Sequence, residues 1–124
     1  MEGSPPVTLA EETYRRINSG QIVGYKEPNG TFGWRGIPFA TPPVGELRWK
    51  APRAPQPWEG VRDALNFGSA CPQRGFGGGT SGITGEEDCL YLNVWQPPGL
   101  QTPRPVMFWI HGGANHIGEA ATPL

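Results

Sequence analysis

Apolar positions in this chain come in short blocks, and most of the glycines and prolines stand at the breaks between them. Val106 to Ile110 is an unbroken apolar run with β-branched and aromatic members and no polar alternation, which predicts a strand buried on both faces. Leu90-Tyr-Leu-Asn-Val-Trp95 predicts a second strand, stopped by Gln96-Pro-Pro-Gly99. Joined by a short Pro/Gly connection, the two are expected side by side and antiparallel. Glu27-Pro-Asn-Gly30 is a turn signal between Gln21–Lys26 and Thr31–Arg35, which read as a β-hairpin. Thr8-Leu-Ala-Glu11 has the form of a capping box and predicts a short helix through Arg16, with Ile17 to Tyr25 extended after it. Residues 1–12 otherwise read as a disordered leader, most clearly 1–8.

Between Gly36 and Gly60 six prolines (Pro38, Pro42, Pro43, Pro52, Pro55 and Pro57) oppose regular ladders and favour extended, surface-hugging backbone. Trp34, Phe39, Leu47, Trp49 and Trp58 are interleaved with them and are expected to pin the segment to a larger body. A sugar-stacking platform of Trp34, Trp49 and Trp58 is the alternative. Two central-type strands and one hairpin cannot cover both faces of a sheet with a single short helix, so unpaired edges would be left open. The pattern looks unfinished.

Composition narrows the function classes. Glycine and proline supply 34 of 124 residues, near the level of low-complexity chains, but 13 aromatic residues spread along the sequence argue for a loop-rich folded chain. Net charge is −1 with a pI near 6.1, and the 10 basic residues form no run longer than Arg15-Arg16, so no nucleic-acid surface is expected. No apolar stretch is long enough for a transmembrane helix, and Met1-Glu-Gly-Ser-Pro-Pro lacks the pattern of a signal peptide. Cys71 and Cys89 enclose a loop carrying Gly75, Gly77, Gly78, Gly79, Gly82 and Gly85. A bridge closing that loop would stabilise by about 3 kcal/mol in the chain-entropy view; two unpaired buried thiols are the expectation for a reducing compartment. Zinc held with His111 and His116 is disfavoured, because the cysteines stand much farther apart than a zinc knuckle allows. No metal or other cofactor is expected.

The candidate chemistry lies after the apolar run, in His111-Gly112-Gly113-Ala114. Two glycines let the backbone turn sharply and present amide N–H groups without Cβ interference. Fixed N–H donors aimed at developing negative charge make an oxyanion hole, and a His-Gly-Gly loop supplies one such donor in lipases and esterases.

These segments fall into a series that resembles the type-B carboxylesterase family, which includes the cholinesterase-like enzymes. The motifs are Gly20-Gln-Ile-Val-Gly24, Trp34-Arg-Gly-Ile-Pro-Phe-Ala40, Pro42-Pro-Val-Gly-Glu-Leu-Arg-Trp49, Trp58-Glu-Gly-Val-Arg-Asp-Ala64 and Phe67-Gly-Ser-Ala-Cys-Pro-Gln73. Glu87-Asp-Cys-Leu-Tyr-Leu-Asn-Val-Trp-Gln-Pro97 is the most diagnostic, and Trp109-Ile-His-Gly-Gly-Ala114 closes the series. The resemblance runs from about Gly20 to Leu124. It implies an α/β class, with residues 1–124 as the N-terminal portion of a single α/β-hydrolase catalytic domain. That portion would hold a small N-terminal β-sheet and the first strands of the large central sheet, and would be mostly β and loop.

The resemblance also implies hydrolysis of carboxylic esters by a serine, an acid and a histidine, with a small-molecule ester substrate. It implies that Cys71 pairs with Cys89 near the mouth of the gorge, which tilts localisation toward an oxidising space, secreted or periplasmic. Arg48 and Glu87 occupy the positions of an internal ion pair beside this loop, a structural role in which losing one partner strands a charge. Gly113 and Ala114 would give backbone N–H donors to the oxyanion hole, with Gly112 making the tight turn and His111 bracing it. Alanine at 114 costs no chemistry, since the donor is the backbone. Two departures matter. Asn115 and His116 stand where the family usually has an aromatic residue. The Cys71–Cys89 loop holds only Phe76 as an aromatic, where a choline-type cation would want a tryptophan face, so a general esterase is expected.

The nucleophile elbow Gly-x-Ser-x-Gly is absent; Gly68-Ser69 and Gly79-Thr-Ser-Gly82 do not meet it. The catalytic serine, acid and histidine are therefore expected beyond Leu124, and the chain alone is expected to be inactive without the remainder of the hydrolase domain. A catalytically inactive cholinesterase-like adhesion protein is the competing reading, opposed by the intact Gly-Gly-Ala turn.

Overall fold

The computed structural model describes residues 7–74, 82–99 and 101–121. Along the chain the strands are β1 (Arg15–Ile17), β2 (Gly20–Val23), β3 (Tyr25–Lys26), β4 (Phe32–Pro38), β5 (Val61–Asp63), β6 (Gln73–Arg74), β7 (Ile83–Thr84) and β8 (Tyr91–Gln96). One sheet runs β1-β2-β5, a second β3-β4-β8, and β6 with β7 makes a two-stranded ribbon. β1 and β2 are antiparallel with Arg15 opposite Ile22, while β5 joins β2 in parallel with Gln21 opposite Val61.

The expected hairpin keeps its turn and divides its first arm. Glu27 N–H donates to Thr31 O and Gly30 N–H to Glu27 O, both at 2.8 Å, while Asn29 Oδ1 accepts from Thr31 N–H at 2.9 Å. This is the local side-chain closure that favours asparagine in turns. Tyr25 then pairs with Gly33 and Lys26 with Phe32. The residues before Gly24 belong instead to the first sheet, so the chain passes from one sheet to the other at Gly24.

β4 is the central strand of the second sheet. It pairs antiparallel with β8 from Phe32 opposite Gln96 to Pro38 opposite Tyr91, with a bulge between Trp34 and Ile37. A bulge takes backbone groups out of the ladder, and they need other partners. Arg35 N–H donates to Ala64 O at 2.8 Å, at the end of β5, and Gly36 N–H donates to Asn93 Oδ1 at 2.9 Å. The irregularity thus ties the second sheet to the first. Ile22, Val23, Tyr25, Trp34, Ile37, Ala40 and Ala64 are buried, and Ile17, Phe32, Trp58 and Leu92 pack against the core cluster of Ile22, Trp34, Ile37 and Ala64. The Arg35 guanidinium sits 4.5 Å from both the Tyr25 and Phe67 ring centroids, a cation held between two aromatic faces.

Four expectations need correction. The capping box does not form: Glu11–Thr13 is a single 3-10 turn behind an Ala10 cap that has no side-chain bond. Thr13 prevents a longer helix, because its buried hydroxyl accepts from Gly24 N–H at 2.7 Å and fixes the segment against β2. Of the expected leader, residues 1–6 lie outside the described residues, but Leu9 bridges to Tyr25 and Ala10 N–H donates to Gly24 O, so 9–12 is held. Val106–Ile110 is neither a strand nor buried; these five side chains are 68 to 93% exposed. A strand needs a neighbour to take its N–H and C=O groups, and among the described residues none lies alongside. For the same reason β8 does not pair with 106–110; its partner is β4.

The sugar-platform alternative also fails. Trp34 is 3% exposed and its indole N–H donates to Thr13 O at 2.8 Å, so it has no free face for a sugar. Trp58 packs against the core and donates to Gln21 O, whereas Trp49 stands fully in solvent.

Candidate active site

Two loop regions meet through Gln73 and Gly118. The first is the segment closed by the Cys71–Cys89 disulfide, whose Cα atoms are 5.0 Å apart. Within it Gln73 pairs with Thr84 and Arg74 with Ile83 across the β6–β7 ribbon, and Glu86 N–H donates to Ala70 O at 2.8 Å. Phe76, with Gly75 and Gly77 to Gly79, lies outside the described residues. Beside this loop Arg48 Nε contacts Glu87 Oε1. The pair is not internal as expected. Its side chains are 60 and 38% exposed, because no neighbouring element among the described residues covers them. The hydrogen bond that Arg48 donates, chiefly, holds the Glu87 carboxyl below the usual glutamate range, and the same bond raises Arg48.

The second piece is the His111–Gly118 turn. Gly113 has φ +127°, and a Cβ there would fall 1.7 Å from Ile117 O, so only glycine fits. Its carbonyl accepts from His116 N–H at 2.9 Å and from Ile117 N–H at 3.2 Å. Ala114 (φ +52°) and Asn115 (φ +60°) are both left-handed without being glycine. Such residues cost about 1–2 kcal/mol each and concentrate at functional sites. Among the described residues, the N–H groups of Gly113 and Ala114 reach no protein acceptor. His111 Nδ1 lies 2.8 Å from Gly112 O, and its ring also lies against Gly118, where an added Cβ would come within 2.5 Å of Nδ1. Asn115 and His116 are exposed.

One side chain joins the two pieces. Gln73 Nε2 donates to Gly118 O at 3.0 Å and to Cys71 O at 3.1 Å, while Gly118 N–H donates to Gln73 Oε1 at 2.8 Å. Asn93 Nδ2 adds a bond to Ala120 O at 3.3 Å. The residue pattern gives no sign that Gln73 reaches a backbone 45 positions away. The structure therefore brings Gly112, Gly113, Ala114 and the disulfide into one neighbourhood. Among the described residues His/Cys/Asp/Glu form no group able to hold a metal ion. No described helix is long and apolar enough to cross a membrane.

The carboxylesterase family model matches residues 11–123. The para-nitrobenzyl esterase of Bacillus subtilis (strain 168) is 46% identical over 114 residues, covering 85% of this chain and 22% of that protein. The fumonisin B1 esterase of Sphingopyxis macrogoltabida is 38% identical over 130 residues, 99% of this chain and 24% of that protein. A solved PNB esterase structure superposes with a TM-score of 0.76 at 42% identity, over 86% of this chain and 21% of that one. The chain thus spans less than a quarter of the length of these relatives. With its sheets superposing on a solved esterase and the family model covering nearly all of its length, the chain belongs to the carboxylesterase family and folds as the N-terminal portion of an α/β-hydrolase.

Proposed function

We propose that these residues furnish the oxyanion-hole loop of a serine carboxylesterase that hydrolyses carboxylic esters. When a serine oxygen attacks an ester carbonyl, the carbonyl oxygen becomes an anion, and the N–H groups of Gly113 and Ala114 donate to it. A donor of this kind is worth about 3 kcal/mol in the transition state. The observation that carries this reading is the run of backbone N–H groups the turn leaves open. His116, Ile117 and Gly118 spend theirs inside the loop or on Gln73, while among the described residues Gly113 and Ala114, with Gly112 and Asn115 on either side, keep theirs. Two left-handed non-glycine residues at the same place point the same way, since backbone strain persists where surrounding structure and function hold it.

Ala114 is exposed here, and donors facing water gain little over the water they replace. The loop therefore works when the rest of the hydrolase domain covers it and brings the serine, acid and histidine. The 124 residues contain no Gly-x-Ser-x-Gly and on their own are expected to hydrolyse nothing.

The test uses the intact protein with short p-nitrophenyl esters. Hydrolysis is expected, together with labelling of one serine outside residues 1–124 by a fluorophosphonate. Gly113→Ala keeps the N–H but puts a Cβ where Ile117 O stands, which turns the donors off aim, and is expected to lower kcat by about 100- to 1,000-fold with KM little changed. Ala114→Gly keeps the donor and is expected to hold kcat within a few-fold. An intact protein showing neither hydrolysis nor labelling overturns the assignment.

A further inference from the structure

We propose that Gln73 is a positioning residue for ester hydrolysis, its side-chain amide setting the direction of the Gly113 and Ala114 N–H groups through Gly118. This rests on the oxyanion-hole reading above. The geometry supports it in three steps. The Gln73 amide grips Gly118 at both ends, accepting from its N–H at 2.8 Å and donating to its C=O at 3.0 Å, which fixes that residue, and the peptide groups on its two sides, in position and orientation. A single bond would leave rotation free.

Gly118 in turn lies flush against the start of the turn. An added Cβ would come within 2.6 Å of Gly112 O and 2.5 Å of His111 Nδ1, so nothing separates Gly118 from the residues that lead into the donors. Gly113, next in the chain, has its carbonyl engaged by His116 and Ile117, the residue before Gly118, which closes the turn into one body. Finally, the grip is anchored outside the turn. The same Nε2 donates to Cys71 O at 3.1 Å, and Cys71 is bonded to Cys89. Asn93 holds only one bond farther along, at Ala120. The turn itself is largely exposed, so side-chain burial does little to fix it. Aim then depends on this amide, and small misplacements of catalytic groups cost rate steeply.

The test is kinetic and uses the intact protein. Gln73→Met removes donor and acceptor at similar volume; Gln73→Glu keeps the acceptor for Gly118 N–H and loses the donor. For a p-nitrophenyl ester, Gln73→Met is expected to lower kcat by about 10- to 100-fold with KM within threefold. It is also expected to weaken a trifluoromethyl ketone, which forms the tetrahedral adduct, by the same factor as kcat. Gln73→Glu is expected to lose less of both, and carries the same comparison should Gln73→Met fail to fold. Hydrogen exchange at the Gly118 amide is expected to quicken in Gln73→Met. Wild-type kcat and ketone affinity in both variants would overturn the proposal while leaving the esterase reading intact. A loss confined to thermal stability or KM would also overturn it. A wild-type protein with no esterase activity removes both readings together.

Discussion

Trp34 and Trp58 show how individual residues divide structural work in this chain. Each places its ring against the core and gives its N–H to a backbone oxygen, Thr13 O and Gln21 O, both at 2.8 Å. An indole buried without a partner would cost about 1–3 kcal/mol, so the partner matters as much as the apolar area. Their role as anchors is legible in the sequence from their size and spacing; which oxygen each finds is not. Arg48 and Glu87 make the opposite case. Their hydrogen bond depresses the Glu87 carboxyl, so the folded state gains from the pair above the ordinary glutamate pKa. That gain is lost as pH falls through the lowered folded value. NMR titration is expected to place the Glu87 midpoint below the ordinary glutamate value, and Arg48→Gln to return it there. Because both side chains are well exposed, Arg48→Gln is expected to change global stability very little, measured by denaturant unfolding at neutral pH.

At the level of elements, contacts distant in sequence decide more than local propensity. Residues 21–26 carry the pattern of one strand, yet Gly24 hands the chain from the first sheet to the second. The capping-box letters at Thr8–Glu11 yield one 3-10 turn, because Thr13 is claimed by Gly24. The β6–β7 ribbon has only two residues on each side, too few to hold itself, and the Cys71–Cys89 bond closes its base. Reducing that bond is expected to release the ribbon before the sheets. Hydrogen exchange should rise in Gln73, Arg74, Ile83, Thr84 and Gly118, while the β4–β8 amides stay protected. The overall loss is bounded at about 3 kcal/mol by the chain-entropy term. Uniform loss of protection across all three sheets would count against an independent ribbon.

At the scale of the whole molecule, the described residues form a small core and leave a five-residue apolar segment exposed. Val106, Met107, Phe108, Trp109 and Ile110 expose 68 to 93% of their surface, next to the turn that holds the candidate donors. Contiguous apolar surface of this kind mediates association. The isolated 124-residue chain is expected to self-associate in sedimentation velocity at micromolar concentration. Phe108→Lys with Ile110→Lys is expected to reduce that association while leaving the far-ultraviolet spectrum of the sheets unchanged. Monomeric behaviour of the unmodified chain would show that the segment is covered some other way.

Legible from the residues alone were the hairpin turn, the position of strand β8 to within one residue, the glycines of the His111–Ala114 turn and the family. These depend on local chemistry: turn residues that close on their own backbone, branched and aromatic runs that favour extended chain, and motif order. Three-dimensional packing set the rest: β8 pairs with β4, the β4 bulge is bound by Ala64 and Asn93, and Gln73 grips Gly118. It also decided that 106–110 stays unpaired among the described residues. Pairing and side-chain bridging depend on which surfaces come together in space, and residue spacing along one chain does not encode that.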